Sequence, residues 1–212
     1  MIKFAKKEFT ERVGRLEKLL EEDFGVMATA VRAGANGQRD VRHSQKLVEQ
    51  LQYHDIIRQK IQHVGQFADV LEVEFSQHGL EEGGVCVLPG LLELSMALLQ
   101  FARLEYDEVR QEIQVQLIAL SLKSLQQEEK YNCFQKEMQE MIKSIGRMYL
   151  QIETTNQQDA EQELSSEKLR KICQSFSMQT EREIFRSLFD EHLLPEDLKA
   201  TENDSTDSIE LF

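Results

Sequence analysis

Residues 51–64, LQYHDIIRQKIQHV, carry a carboxylate and a carboxamide four positions apart, Asp55 and Gln59, beside His54. On an α-helix such residues stand above one another, one turn apart. A carboxamide there can hold and orient a water for in-line attack on phosphorus. Phosphoryl transfer rests on positioning and electrostatics, so no strong base is needed. The carboxylate can pair with a lysine of a second protein and fix how it docks. His54 offers a different chemistry, acceptance of a phosphoryl group on a helix surface. A third reading is a wetted face in a chain rich in Gln and Glu. The spacing recurs at Asp107 and Gln111, because DIIRQKIQ at 55–62 returns as DEVRQEIQ at 107–114. This is a candidate second site or a coincidence within Gln-, Glu- and Arg-rich helix. Glu108 and Glu112 make it more acidic, which suits an anionic phosphoryl group less well.

Other chemistries have less support. His43, His54, His63 and His78 are spaced so that no two share a helical turn, and no HExxH pair occurs, so no metal site is expected. There is no GxSxG nucleophile motif. There is also no Gly-rich ATP-binding stretch and no room for a mixed α/β domain, which argues against a kinase; no cofactor bound by this chain is expected. Cys86, Cys133 and Cys173 are widely separated, odd in number and without a CxxC, which predicts reduced thiols in a cytosol.

The elements that must carry these residues read as helices. Phe9, Val13, Leu16, Leu20, Phe24, Met27 and Val31 recur at spacings of four and three, which predicts a helix over about 3–33, ended by GANG at 34–37. A second helix is expected from about 40 to 78 on Leu47, Leu51, Ile57, Ile61, Val64, Ala68, Leu71 and Phe75. Asp55 and Gln59 point roughly 150° from the centre of that stripe, on the water side with Gln52 and His63, while His54 flanks it. HGLEEGGVCVLPG at 78–90 is the clearest break, with a third helix starting near Leu91 on Leu98, Ala102, Val109 and Ile113. Asp107 and Gln111 face away from that stripe. Between 91 and 155 one long helix or two are both allowed, a turn near 123–130 being favoured because Ser124 and Gln127 can form a capping box. Phe134, Met138, Met141, Ile145, Met148 and Ile152 then form a heptad seam. A last helix is expected over about 166–189, with Leu169, Ile172, Phe176, Ile184 and Leu188 inward.

The fold class predicted is therefore all-α, an antiparallel helical bundle with a four-helix-bundle-like core over 1–194. Residues 195–212, EDLKATENDSTDSIELF after Pro195, are acidic and polar and predict a flexible linker. Its last residues, Ile209, Leu211 and Phe212, are apolar again and either dock back on the bundle or bind a partner. The formal net charge of −13 and the pI of about 4.9 argue against nucleic acid and anionic membranes, and favour basic or Mg²⁺-bearing protein surfaces. No signal-peptide core and no run of 18 apolar residues occurs, so a soluble, cytoplasmic chain is expected.

The helix at 51–64 resembles the Asp-x-x-x-Gln helix of CheZ-type phosphatases, which dephosphorylate the chemotaxis response regulator CheY. The resemblance implies that Gln59 positions the hydrolytic water and that Asp55 engages a lysine of the regulator, with Mg²⁺ held by the regulator. The ending STDSIELF is similar to the short amphipathic segment with which CheZ proteins capture their regulator through an acidic linker, which implies partner-binding roles for Asp207, Ile209, Leu211 and Phe212. A tether of this kind raises the local concentration of regulator near the catalytic helix. The implied partner is a phosphorylated CheY-like receiver in chemotaxis or flagellar signalling. CheZ builds its bundle from two long hairpins in a dimer, whereas this chain has enough helices for a bundle by itself, so monomer and homodimer both stay open. A non-enzymatic helical adaptor acting through the tail, and a histidine phosphotransfer protein using His54, are the alternatives.

Overall fold

In a computed structural model, residues 4–35, 41–77, 88–119, 128–153, 172–176 and 179–189 are described. They form five helices: α1 (Lys6–Ala35), α2 (Val41–Gln77), α3 (Leu88–Ala119), α4 (Glu128–Glu153) and α5 (Gln179–Leu188). A single helical turn at 172–175 precedes α5, and no strand occurs among the described residues.

The apolar stripes close these helices into a four-membered ring in which α1 packs on α2, α2 on α3, α3 on α4 and α4 on α1. Polar contacts show that each neighbour runs antiparallel to the last. Lys6 at the start of α1 donates to Glu72 near the end of α2 at 2.8 Å, and Lys60 of α2 reaches Glu105 of α3 at 2.9 Å. Tyr131 of α4 donates to Asp107 of α3 at 2.9 Å, Arg12 of α1 binds Glu137 of α4 at 2.9 Å, and Lys130 binds Glu22 at 2.7 Å. All seven residues of the α1 stripe are buried, and the α2 stripe is buried from Ile57 to Phe75. Phe134, Met138, Met141, Ile145 and Ile152 of α4 fill the opposite side. The all-α antiparallel bundle is thus the observed architecture, and α3 and α4 are two helices rather than one. Ser124 and Gln127, and the acidic tail with Asp207, Ile209, Leu211 and Phe212, lie outside the described residues.

The interior is not purely apolar. Asp23 of α1 is fully buried and accepts hydrogen bonds from the Tyr106 hydroxyl and the Arg110 guanidinium of α3, which tie the two diagonal helices. Arg110 also lies 4.6 Å over the Tyr131 ring. Burial, then the hydrogen bond to Asp23, pushes the Tyr106 phenol far above its ordinary range.

Two expectations are corrected. The last helix is not continuous over 166–189: the backbone leaves the helix at Phe176, whose ring turns inward between His63, Phe67 and Phe185. Its amide closes a tight turn onto Cys173 at 3.1 Å, and the Arg182 side chain donates to its freed carbonyl at 3.2 Å. Burying an aromatic ring outweighs a few helical hydrogen bonds that side chains can replace. The third helix starts at Leu88 rather than Leu91, with Pro89 in its first turn, where a missing N–H costs nothing. Gly90 is therefore helical. It is needed for close approach, because a Cβ there would stand 2.5 Å from Cε1 of Phe189.

Candidate functional site

The middle of α2 has two well-covered flanks. One faces α1, where the His54 ring stacks at a tilt on Phe24 with centroids 4.8 Å apart. The other faces α3, where Ile57, Lys60 and Val64 are buried. Lys60 is a cation with no exposed surface, and both oxygens of Glu105 hold it at 2.9 Å. An unpaired buried ammonium would cost several kcal/mol, so this pair fixes the register of α2 against α3.

Between the flanks runs an outward row, Asp55, Gln59 and His63, at successive helical turns. Asp55 is 75% exposed and meets only its own helix, with Arg58 Nη2 at 3.2 Å and His54 Nδ1 at 3.5 Å. An exposed i,i+3 pair of this sort is worth about 0.3–0.5 kcal/mol, so Asp55 is held only weakly. Gln59 is half-buried, and its amide makes no hydrogen bond among the described residues. His63, which the helical wheel of α2 places in water, is buried. Its Nδ1 lies 2.7 Å from Oε1 of Glu181 in α5, and its ring meets Phe176 edge-on at 5.3 Å. With Glu181 as a carboxylate, which only accepts, Nδ1 is the donor of this bond. The reason for the correction is α5, which lies over that side of α2 and α3. Periodicity within one helix cannot reveal a cover 118 residues away.

The row therefore grades from solvent at Asp55, through a shielded amide at Gln59, to a packed wall at His63. The Gln59 amide keeps its donor and acceptor atoms free among the described residues, and a rigid helix is a good platform for presenting such a side chain. His54, 22% exposed and against Phe24, lacks the outward presentation that a phosphoryl acceptor needs.

The repeated motif is not equivalent. Asp107 turns into the α3–α4 seam, where it accepts hydrogen bonds from the Tyr131 hydroxyl and the Gln135 amide. Gln111 is exposed and lines a groove of about 470 Å³ between α2 and α3, with Gln50, Tyr53, Glu105, Glu108 and Glu112. A carboxylate already holding two donors differs from Asp55, which only its own helix restrains. Sequence reasoning missed the His63–Glu181, Lys60–Glu105 and Asp23–Tyr106–Arg110 groups. Lys60 and Asp23 each left a trace there, as a charge in phase with Ile57 and Val64 and with Leu20 and Met27.

Comparison with protein-family models, with curated proteins and with solved structures finds no match for this chain.

Proposed function

We propose that this chain is a CheZ-like phosphatase that hydrolyses the aspartyl phosphate of a CheY-like receiver. The observation that supports this reading most is the outward row of α2, an exposed carboxylate and an unbonded, half-buried carboxamide one turn apart on a 37-residue helix. Asp55 exchanges Arg58 for a lysine of the receiver and sets the docking angle. Gln59 then enters the receiver's site, its Oε1 accepting from a water and its Nε2 donating toward the phosphoryl oxygens. The water oxygen attacks phosphorus as the bond to the receiver's aspartyl oxygen breaks, which returns a free carboxylate and inorganic phosphate. Mg²⁺ on the receiver supplies charge stabilisation, and this chain supplies orientation.

The acidic ending with Asp207, Ile209, Leu211 and Phe212 serves as the tether in this reading. A flexible chain of about 17 residues, the length of sequence that follows Pro195, would span a root-mean-square distance of roughly 20–25 Å and give an effective concentration in the millimolar range. The setting would be cytoplasmic chemotaxis or flagellar signalling. Consistent with it, no described helix is long and apolar enough to cross a membrane.

The test is phosphate loss from a phosphorylated CheY-type receiver with Mg²⁺, in the presence of wild type, Asp55→Ala, Gln59→Ala and a chain ending before Ile209. Wild type should accelerate the loss, Asp55→Ala and the shortened chain should raise the concentration needed, and Gln59→Ala should abolish the rate. A wild type that binds the receiver through its last residues without accelerating the loss would make this chain an adaptor.

A further inference from the structure

The outer face of α3 carries a row that neither the core nor the α2 site uses. Phe101, Leu104, Glu108, Gln111, Val115 and Ile118 follow spacings of three and four, the a and d positions of a heptad seam. The four apolar members are 46%, 55%, 55% and 60% exposed, although each is a large hydrophobic side chain. Together they present roughly 400 Å² of apolar surface, the size of patch that marks an interaction site. α5 packs on the start of α3, where Phe189 meets Gly90, and leaves this later stretch bare.

The order of the row indicates its occupant. Read in either direction it runs apolar, apolar, polar, polar, apolar, apolar. Lay a second α3 antiparallel on it, and Phe101 meets Ile118, Leu104 meets Val115, and Glu108 meets Gln111, each pair twice about a two-fold axis. The central layers then join a carboxylate acceptor to an amide donor. Neither Glu108 nor Gln111 has a hydrogen-bond partner among the described residues. A polar layer inside an apolar seam is the usual way a coiled coil fixes its register. An isologous two-fold contact of this kind is also the commonest route to an oligomer. Two patches with their polar margins bury about 1,000 Å², the lower bound for a specific interface.

We infer that this chain forms an antiparallel homodimer through the outer face of α3, with Glu108 and Gln111 of opposite copies setting the register. It leaves Asp55 and Gln59, on another face of another helix, open to their own partner. The margins are acidic: Glu112 accepts from Gln116, and Asp107 from Tyr131 and Gln135, neutral donors that do not offset a carboxylate. Like charges therefore meet at the edges of the seam, and added salt tightens the dimer. A basic helical partner on the same face would show the reverse salt dependence.

The test is sedimentation equilibrium of the full chain from about 1 to 200 μM, the range expected for an interface at the small end of the specific class. The mass should rise from 24.7 kDa toward twice that value. Leu104→Glu and Val115→Glu should each leave a monomer that melts as dilute, monomeric wild type does, since both side chains are exposed. Gln111→Lys should tighten association at least tenfold by placing an ammonium against Glu108 of the second copy. Gln111→Glu should weaken it, and Glu108→Lys added to Gln111→Glu should restore it. A wild type that is monomeric at every concentration, or a dimer that ignores these substitutions, overturns the inference.

Discussion

Replacing Glu181 with alanine probes how α5 is held beside the outward row of α2. Glu181 has no exposed surface and His63 is 5% exposed, so the bond between them is made away from water. Truncation removes a hydrogen bond to a charged group, worth about 1.5–3 kcal/mol, and leaves the His63 nitrogen buried without its acceptor, a further cost of about 1–3 kcal/mol. Part of this returns, because the second carboxylate oxygen, Oε2, is buried without a partner and no longer has to be desolvated. A net loss of about 2–4 kcal/mol follows. It falls on the docking of α5, since α1 to α4 close their ring without it. Hydrogen exchange resolves this: amides of α5 should exchange about 30- to 1000-fold faster, as every 1.4 kcal/mol is a factor of ten. Amides of α1 and α4 should change little. The double variant His63→Leu with Glu181→Met should recover most of the loss, since an apolar pair replaces a buried polar one at little cost. Uniform acceleration across all helices, or α5 protection unchanged by Glu181→Ala, would refute the reasoning.

Three further outcomes follow from the same contacts. Gly90→Ala should destabilise by about 1–3 kcal/mol in urea unfolding, because its Cβ collides with the packed Phe189 ring. Gly14→Ala, exposed in mid-helix with open space where the Cβ goes, should instead stabilise by about 0.5–1 kcal/mol in the same assay. The Tyr106 phenol titrates above its ordinary 10.0 when folded, so its contribution is whole below pH 10 and declines as the unfolded chain ionises above it. Thermal melts of wild type should fall from pH 10 upward, and Tyr106→Phe should be less stable at pH 7 but flatter with pH.

Much of the bundle could be read from the sequence because each stripe is buried by its neighbours in the simplest way. The seven apolar residues of α1 and the seam of α4 needed only a period of 3.6. Contacts between distant segments were not legible. His63 reads as an outward residue until α5 covers it, and Phe176 reads as one more inward position until its ring, aimed at His63 and Phe67, breaks the helix. Gly90 reads as part of a loop because a glycine is a breaker by propensity, while its close approach to Phe189 depends on a residue 99 positions later. The two copies of the Asp-x-x-x-Gln spacing are alike in sequence. They differ in what lies opposite, with Tyr131 and Gln135 taking the second carboxylate while the first meets only Arg58 and His54 of its own helix.

The most direct test of the central claim is the first-order loss of phosphate from a phosphorylated CheY-type receiver at saturating chain, for wild type against Gln59→Ala. Gln59 bonds to nothing among the described residues, so its truncation should leave melting and receiver affinity in place. Saturating wild type should raise the rate by at least about 100-fold, the scale expected of a positioned group, and Gln59→Ala should return it to the receiver's own rate. An undiminished rate in Gln59→Ala would contradict the assignment of Gln59 as the residue that orients the water.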